Sequence, residues 1–294
     1  MDDIYQAIDE KNKNTHAPVA AFDKEQWGKK KQDERAAAFK LIDETAGRVM
    51  TSDAQASDRL LDVMARFPNH SVSNMLLILA QSPDATRIGD ADYWMRKGAY
   101  VKRGEKGFTI LVPGNEYTRE DGSIGTFFDA KKVFDAGQTT AKNRASRSYD
   151  THDSLKALIN ASPVLIMATE DLKGELSSYD HEKKTIHVQK GLGEPDLFHA
   201  MATGIAHAQL AEGKTSYDRE DYPGAAEIAA TILTKRFGVR PTLNEGTAFP
   251  ILADDKPQTF KDFLGIVRNV SRDIGNRMQE MLDKPRQRTQ TMER

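Results

Sequence analysis

Residues Met75-Leu76-Leu77-Ile78-Leu79-Ala80 form six consecutive apolar positions between Ser71 and Gln81. In a helix such a run leaves no polar face, so other elements must enclose it. The spacing therefore predicts a helix over 72–81 at the buried centre of the first half. No apolar run approaches the roughly 18 residues needed to cross a bilayer, which excludes a transmembrane chain. The opening MDDIYQAIDEKNKN is acidic and polar and lacks the apolar core of a secretory signal. The absence of cysteine excludes disulfide scaffolds, thiolate zinc ribbons, iron–sulfur clusters and cysteine nucleophiles. The expectation is a soluble, cytoplasmic protein with no membrane partner. At 294 residues, two domains or one large one are expected.

The remaining elements follow from periodicity and punctuation. Residues 1–25 read as a polar arm. A helix follows over 26–50, with Phe39, Leu41 and Ile42 on its apolar side. A second helix over 57–66 takes Ser57 as N-cap, carries Leu60, Leu61 and Met64 on one side, and stops at Pro68. A short helix over 91–96 carries Trp94. A strand over 108–113, a turn at Glu120-Asp121-Gly122-Ser123 and a strand over 131–135 complete the first half.

Residues 136–151 contain no large aliphatic side chain and read as a linker with Lys142, Arg144 and Arg147. The second half opens with a helix over 154–160 and a strand over 164–167. A hairpin follows, 176–179 and 185–189, turning at Asp180–Lys183. Two long helices near 195–213 and 221–238 are joined at Glu212-Gly213-Lys214, with Gly238 as C-cap. A last helix covers 258–284. The fold class is α+β in two units: a helical and β-hairpin domain over 1–137, a linker over 138–152, and a helical domain with a small sheet over 153–294.

Forty-two Lys and Arg against 44 Asp and Glu leave a net charge of −2, so the whole-chain charge does not mark a nucleic-acid binder. Local charge does. Between Trp94 and Gly107 stand five cations, Arg96, Lys97, Lys102, Arg103 and Lys106, against the single anion Glu105. Gly98, Gly104 and Gly107 punctuate them, and Trp94 and Tyr100 are interleaved. Glycine lets the backbone approach a ligand, cations neutralise phosphates, and aromatic faces stack unpaired bases. This composition suits a single-stranded groove better than a duplex reader, which needs a recognition helix. The same residues also read as a solvated loop with Trp94 in the core.

The stretch His70-Ser71-Val72-Ser73-Asn74 … Gln81-Ser82-Pro83-Asp84-Ala85-Thr86-Arg87 resembles the N-terminal domain of ArdC-type antirestriction proteins of plasmids and other mobile elements. So do Trp94, the turn Lys102-Arg103-Gly104-Glu105-Lys106-Gly107 running into Phe108–Pro113, and Val133-Phe134-Asp135 with Gln138-Thr139. The ordered match spans about 70 residues and departs at His70, where the family usually has Tyr. The resemblance implies a domain that binds single-stranded DNA, with Asn74, Trp94, Arg96, Lys97, Tyr100, Lys102, Arg103 and Lys106 as its contacts. Asn74 can either brace a backbone turn or meet a base; Gln81 and Thr86 read as structural.

The family's second domain resembles a zinc metallopeptidase, in which a His-Glu-x-x-His helix and a Glu on the following helix hold the metal. Residues i and i+4 face the same way, so two imidazoles share one ion. Here His207 matches the second His and Glu227 the downstream carboxylate, but Thr203 stands for the first His and Gly204 for the Glu. Threonine is a poor zinc ligand and glycine moves no proton, so the domain reads as a pseudo-peptidase with no catalytic residue. His199 lies two turns before His207, a rise of about 12 Å, too long for one ion. No cofactor is therefore expected. A zinc held by His207 and Glu227 with His187 is the alternative, and so is a pocket of hydrogen-bonded remnants. Gly204 in mid-helix costs about 1 kcal/mol relative to Ala, which a closely packed hairpin would explain.

From Val267 to Arg294 there are seven basic and four acidic residues, with Arg286 and Arg288 in a tail beyond Pro285. Phe260, Phe263, Leu264, Val267, Val270 and Ile274 form the packing face of the last helix. The combined reading is a single-stranded-DNA-binding antirestriction protein of a mobile element that acts by occupancy. The alternatives are a metallopeptidase with a rearranged site, or a module that binds a host restriction or defence protein through the degenerate pocket.

Overall fold

The structure, a computed structural model, describes residues 4–5, 24–51, 54–142, 149–243, 249 and 256–283. The expected linker residues Arg144 and Arg147, the tail residues Arg286 and Arg288, and most of the amino-terminal arm lie outside these. Eight α-helices and two three-stranded sheets make an α+β fold among the described residues. None of these helices is long and apolar enough to cross a membrane.

The first half runs α1 (Lys24–Thr51), α2 (Ala54–Arg66), α3 (Val72–Gln81), β1 (Ile88–Gly89), α4 (Ala91–Arg96), β2 (Phe108–Thr118) and β3 (Ile124–Asp135). The apolar run is α3, begun by the Ser71 hydroxyl, which accepts from the Asn74 N–H. Its residues Met75 through Ile78 are fully enclosed by α1, α2 and β2. Helix α2 begins a turn earlier than expected, so Ser57 is an enclosed interior residue and not the N-cap. Ala54-Gln55-Ala56 are good helix formers that extend the helix beyond its apolar stripe.

The sheet order is β1-β3-β2, all antiparallel. Strands β2 and β3 run well past the expected limits, pairing from Phe108 with Val133 out to Thr118 with Ile124. β2 is an edge strand, and its inner end is closed by α3 through side-chain amides. Asn74 Nδ2 donates to the Leu111 carbonyl (2.8 Å) and Asn74 Oδ1 accepts from the Leu111 N–H (2.8 Å). Two turns on, Gln81 repeats this with Thr109, donating at 2.8 Å and accepting at 2.9 Å. Two amides on one helix face thus supply what a neighbouring strand would.

The second half runs α5 (Thr151–Ala161), β4 (Leu165–Thr169), β5 (Ser177–Asp180), β6 (Thr185–Gln189), α6 (Glu194–Leu210), α7 (Ala225–Phe237) and α8 (Pro257–Leu282). In the sheet β6 is central, parallel to β4 and antiparallel to β5. The connection between α6 and α7 is longer than expected and includes a 3-10 turn at Arg219–Asp221. Gly238 caps α7 in the left-handed conformation (φ 71°).

The core is continuous through both halves, from Ala38 on α1 to Met278 on α8. α2 packs on α7, while α1 and α3 pack on α8. Lys235 of α7 reaches Asp58 at 2.7 Å and Asp62 at 2.8 Å on α2. A separate small cluster of Trp94, Ala99 and Ala136 lies beneath the basic bend.

Candidate functional site

Residues 97–107 connect α4 to β2, and residues 136–140 hold them in shape. Asp135 ends β3, where its carboxylate accepts from the N–H groups of Thr86 (2.7 Å), Gly137 (2.8 Å) and Arg87 (3.0 Å). Burial works to raise its pKa, but these donors outweigh burial and hold it below the ordinary carboxylate range. Gln138 accepts from the Asp135 N–H (2.9 Å) and donates to Glu105 Oε2 (2.9 Å) and the Lys106 carbonyl (3.0 Å). Tyr100 and Thr140 exchange two bonds, and Val101 bridges to Thr139. The bend is a clasped loop. Gly104 turns it through φ 88°, and a Cβ at Gly107 would stand 2.9 Å from the Val133 carbonyl oxygen. The glycines therefore serve the loop's own geometry.

Of the residues expected to contact DNA, Arg96, Lys97, Lys102, Arg103 and Lys106 are exposed, and Tyr100 is 63% exposed. Lys102 Nζ donates to the Gly137 carbonyl at 2.8 Å, which fixes its direction without cancelling its charge. Glu105, the anion of the bend, is engaged by Gln138.

Two assignments are corrected. Trp94 is only 1% exposed, its Nε1–H bonded to the Phe134 carbonyl (3.0 Å) and its ring covered by the Arg87 guanidinium at 5.0 Å, so it offers no stacking face. Both polar groups of the Asn74 amide are engaged by Leu111, so Asn74 is a brace rather than a contact. His70 stands edge-on to Phe67 (5.6 Å, 77°), and burial, with Arg268 nearby, lowers its pKa. As a neutral ring it fills the aromatic position of the motif.

In the second half, a cavity of about 220 Å³ opens among Glu175, Asp196, His199, Thr203, Arg219 and Glu227. Thr203 Oγ1 lies 3.1 Å from the His199 carbonyl oxygen and 3.3 Å from Glu227 Oε2. His199 Nε2 is 3.9 Å from the same carboxylate oxygen. Burial lowers the His199 pKa against the opposing pull of Glu227 and Asp196. Asp196 tethers the chain after α7, accepting from Thr242 N–H (2.7 Å), Thr242 Oγ1 (2.6 Å) and Leu243 N–H (2.9 Å).

The residues expected as zinc donors are not brought together. His207 Nδ1 lies 2.6 Å from the Tyr217 hydroxyl, Glu227 meets Thr203 and His199, and His187 Nδ1 is 3.2 Å from Thr169 Oγ1. Among the described residues no three His, Cys, Asp or Glu side chains form a metal-holding group, so the donor set does not fit zinc. Burial, helped by Arg219, lowers the His207 pKa to about 4, and burial raises that of Tyr217. The bond between them therefore joins two neutral groups. Gly204 has a packing reason: a Cβ there would stand 2.4 Å from Ile186 Cγ2 of β6.

Neither a family model nor a curated protein sequence matches the chain. Its structure is similar to crystal structures of the antirestriction ArdC protein from the R388 plasmid. The metal-free form is 15% identical with a TM-score of 0.48, covering 82% of this chain and 96% of that one. The Mn(II)-bound form is 17% identical with a TM-score of 0.48, covering 79% and 99%. ArdC is the family whose motifs the first half resembles.

Proposed function

We propose that this protein binds single-stranded DNA along the 96–106 bend and serves an antirestriction role for a mobile element by occupancy, not hydrolysis. One observation carries the reading. Tyr100 stands exposed among five exposed cations on a clasped loop whose anion is already engaged. An aromatic face takes an unpaired base, cations take the phosphates on either side, and the loop is ordered beforehand. The order of ArdC-type motifs around the loop supports the antirestriction part of the reading.

Fluorescence anisotropy with labelled single- and double-stranded oligonucleotides across a salt series tests it. The single strand is expected to bind more tightly, with a log–log salt slope of about −3 to −4 for five phosphate contacts. The triple variant Lys102→Glu, Arg103→Glu, Lys106→Glu should lose most of the affinity. Wild-type binding by that variant would reject the interface.

The absence of hydrolysis is read from Thr203 and Gly204 standing where the peptidase-like motif needs a ligand and a base. Zinc quantitation on protein purified without chelator checks it. A stoichiometric ion would favour the metallopeptidase alternative.

A further inference from the structure

Behind the bend lies a cavity of about 530 Å³, lined by Arg87, Tyr93, Trp94, Lys97, Gly98, Ala99, Thr140, Ala141 and Lys142. Its size falls within the roughly 300–1,000 Å³ of small-molecule sites. The charge is one-sided: Arg87, Lys97 and Lys142 line it, and among the described residues no carboxylate does. Arg87 is fixed there by stacking on Trp94 at 5.0 Å, and its Nε is buried with no hydrogen-bond partner among the described residues. A buried guanidinium N–H without an acceptor is costly unless a ligand supplies one. Tyr93, half-buried and edge-on to Trp94, adds an aromatic wall.

We infer that this cavity holds a nucleotide phosphomonoester, with the doubly charged phosphate among Arg87, Lys97 and Lys142 and the base against Tyr93. Such a phosphate carries about −1.5 to −2 charge at neutral pH, which a pocket lined by three cations suits better than it suits the single charge of a passing diester. Two sources share this chemistry: a free mononucleotide, or the phosphorylated end of a strand whose body follows the bend. The second source rests on the proposed strand-binding reading; the first does not.

The test uses the full chain and two probes. Saturation-transfer NMR with thymidine 5′-monophosphate and with thymidine reads the pocket alone. Anisotropy with a short oligothymidylate carrying a 5′-phosphate or a 5′-hydroxyl reads the strand. The monophosphate should bind and the nucleoside should not. Arg87→Gln should abolish binding, and so should the surface pair Lys97→Glu, Lys142→Glu, which keeps the proposal testable if the Arg87 variant does not fold. If strand ends are the source, the 5′-phosphate tightens oligonucleotide binding about tenfold, as one charge-assisted hydrogen bond gives. Monophosphate binding without that preference assigns the pocket to free nucleotide. No monophosphate binding and no end preference overturns the proposal while leaving strand binding intact. Failure of both oligonucleotides to bind sinks only the strand reading.

Discussion

Gly204 joins chemistry and packing at one position. Its place in the motif and a close-packed hairpin as its reason could both be read from the sequence, but not the partner, because Ile186 lies eighteen positions away on strand β6. Introducing Ala would gain about 1 kcal/mol of helix propensity. It would also force a methyl group to within 2.4 Å of the fully buried Ile186. Overpacking of this kind costs about 1–3 kcal/mol, so Gly204→Ala is expected to lower the thermal midpoint. A double-mutant cycle with Ile186→Ala should show favourable coupling as the clash is removed; strict additivity would mean that the two groups do not meet. Trp94 and Asn74 teach the converse. Residue type made each look like a ligand contact, yet burial and backbone bonding assign both to the scaffold.

At the scale of elements, α3 was legible to the residue, because a capping serine, an apolar run and a following proline all mark the same limits. The outer half of the β2–β3 ribbon was not. Its residues are polar or exposed, and only pairing with each other gives the strands their length. Nor does local sequence reveal that Asn74 and Gln81 serve as a substitute strand for β2. Asn74→Ala would leave the Leu111 N–H and carbonyl without partners in an enclosed place. The expected loss is about 2–4 kcal/mol in urea denaturation, from two unsatisfied groups. Oligonucleotide affinity, measured where the variant remains folded, should be unchanged; a specific loss would return Asn74 to the interface.

For the whole molecule, the expected division near 138–152 left out how the halves meet, since contacts such as Lys235 with Asp58 and Asp62 join residues far apart in sequence. Acid stability is another property of the ensemble. His70, His199 and His207 all have lowered pKa values, with burial the largest cause in each. The unfolded chain therefore takes up protons near pH 6.5 that the folded chain refuses. Stability should be fully present above that pH and fall as pH drops, for His207 across the window from about 6.5 to 4. His207 alone accounts for a loss on the order of 2–3 kcal/mol. Denaturation midpoints between pH 7 and pH 4 would show it, and a flat profile would contradict the buried neutral imidazoles.

The contact between Tyr217 and His207 has its own corollary. Burial lowers the His207 pKa to about 4 and raises that of Tyr217, so both partners are neutral at neutral pH. The strap from α6 to α7 is thus latched, at neutral pH, by a pair that carries no charge on either side. Added salt, which screens charged contacts, therefore has nothing to screen at that latch.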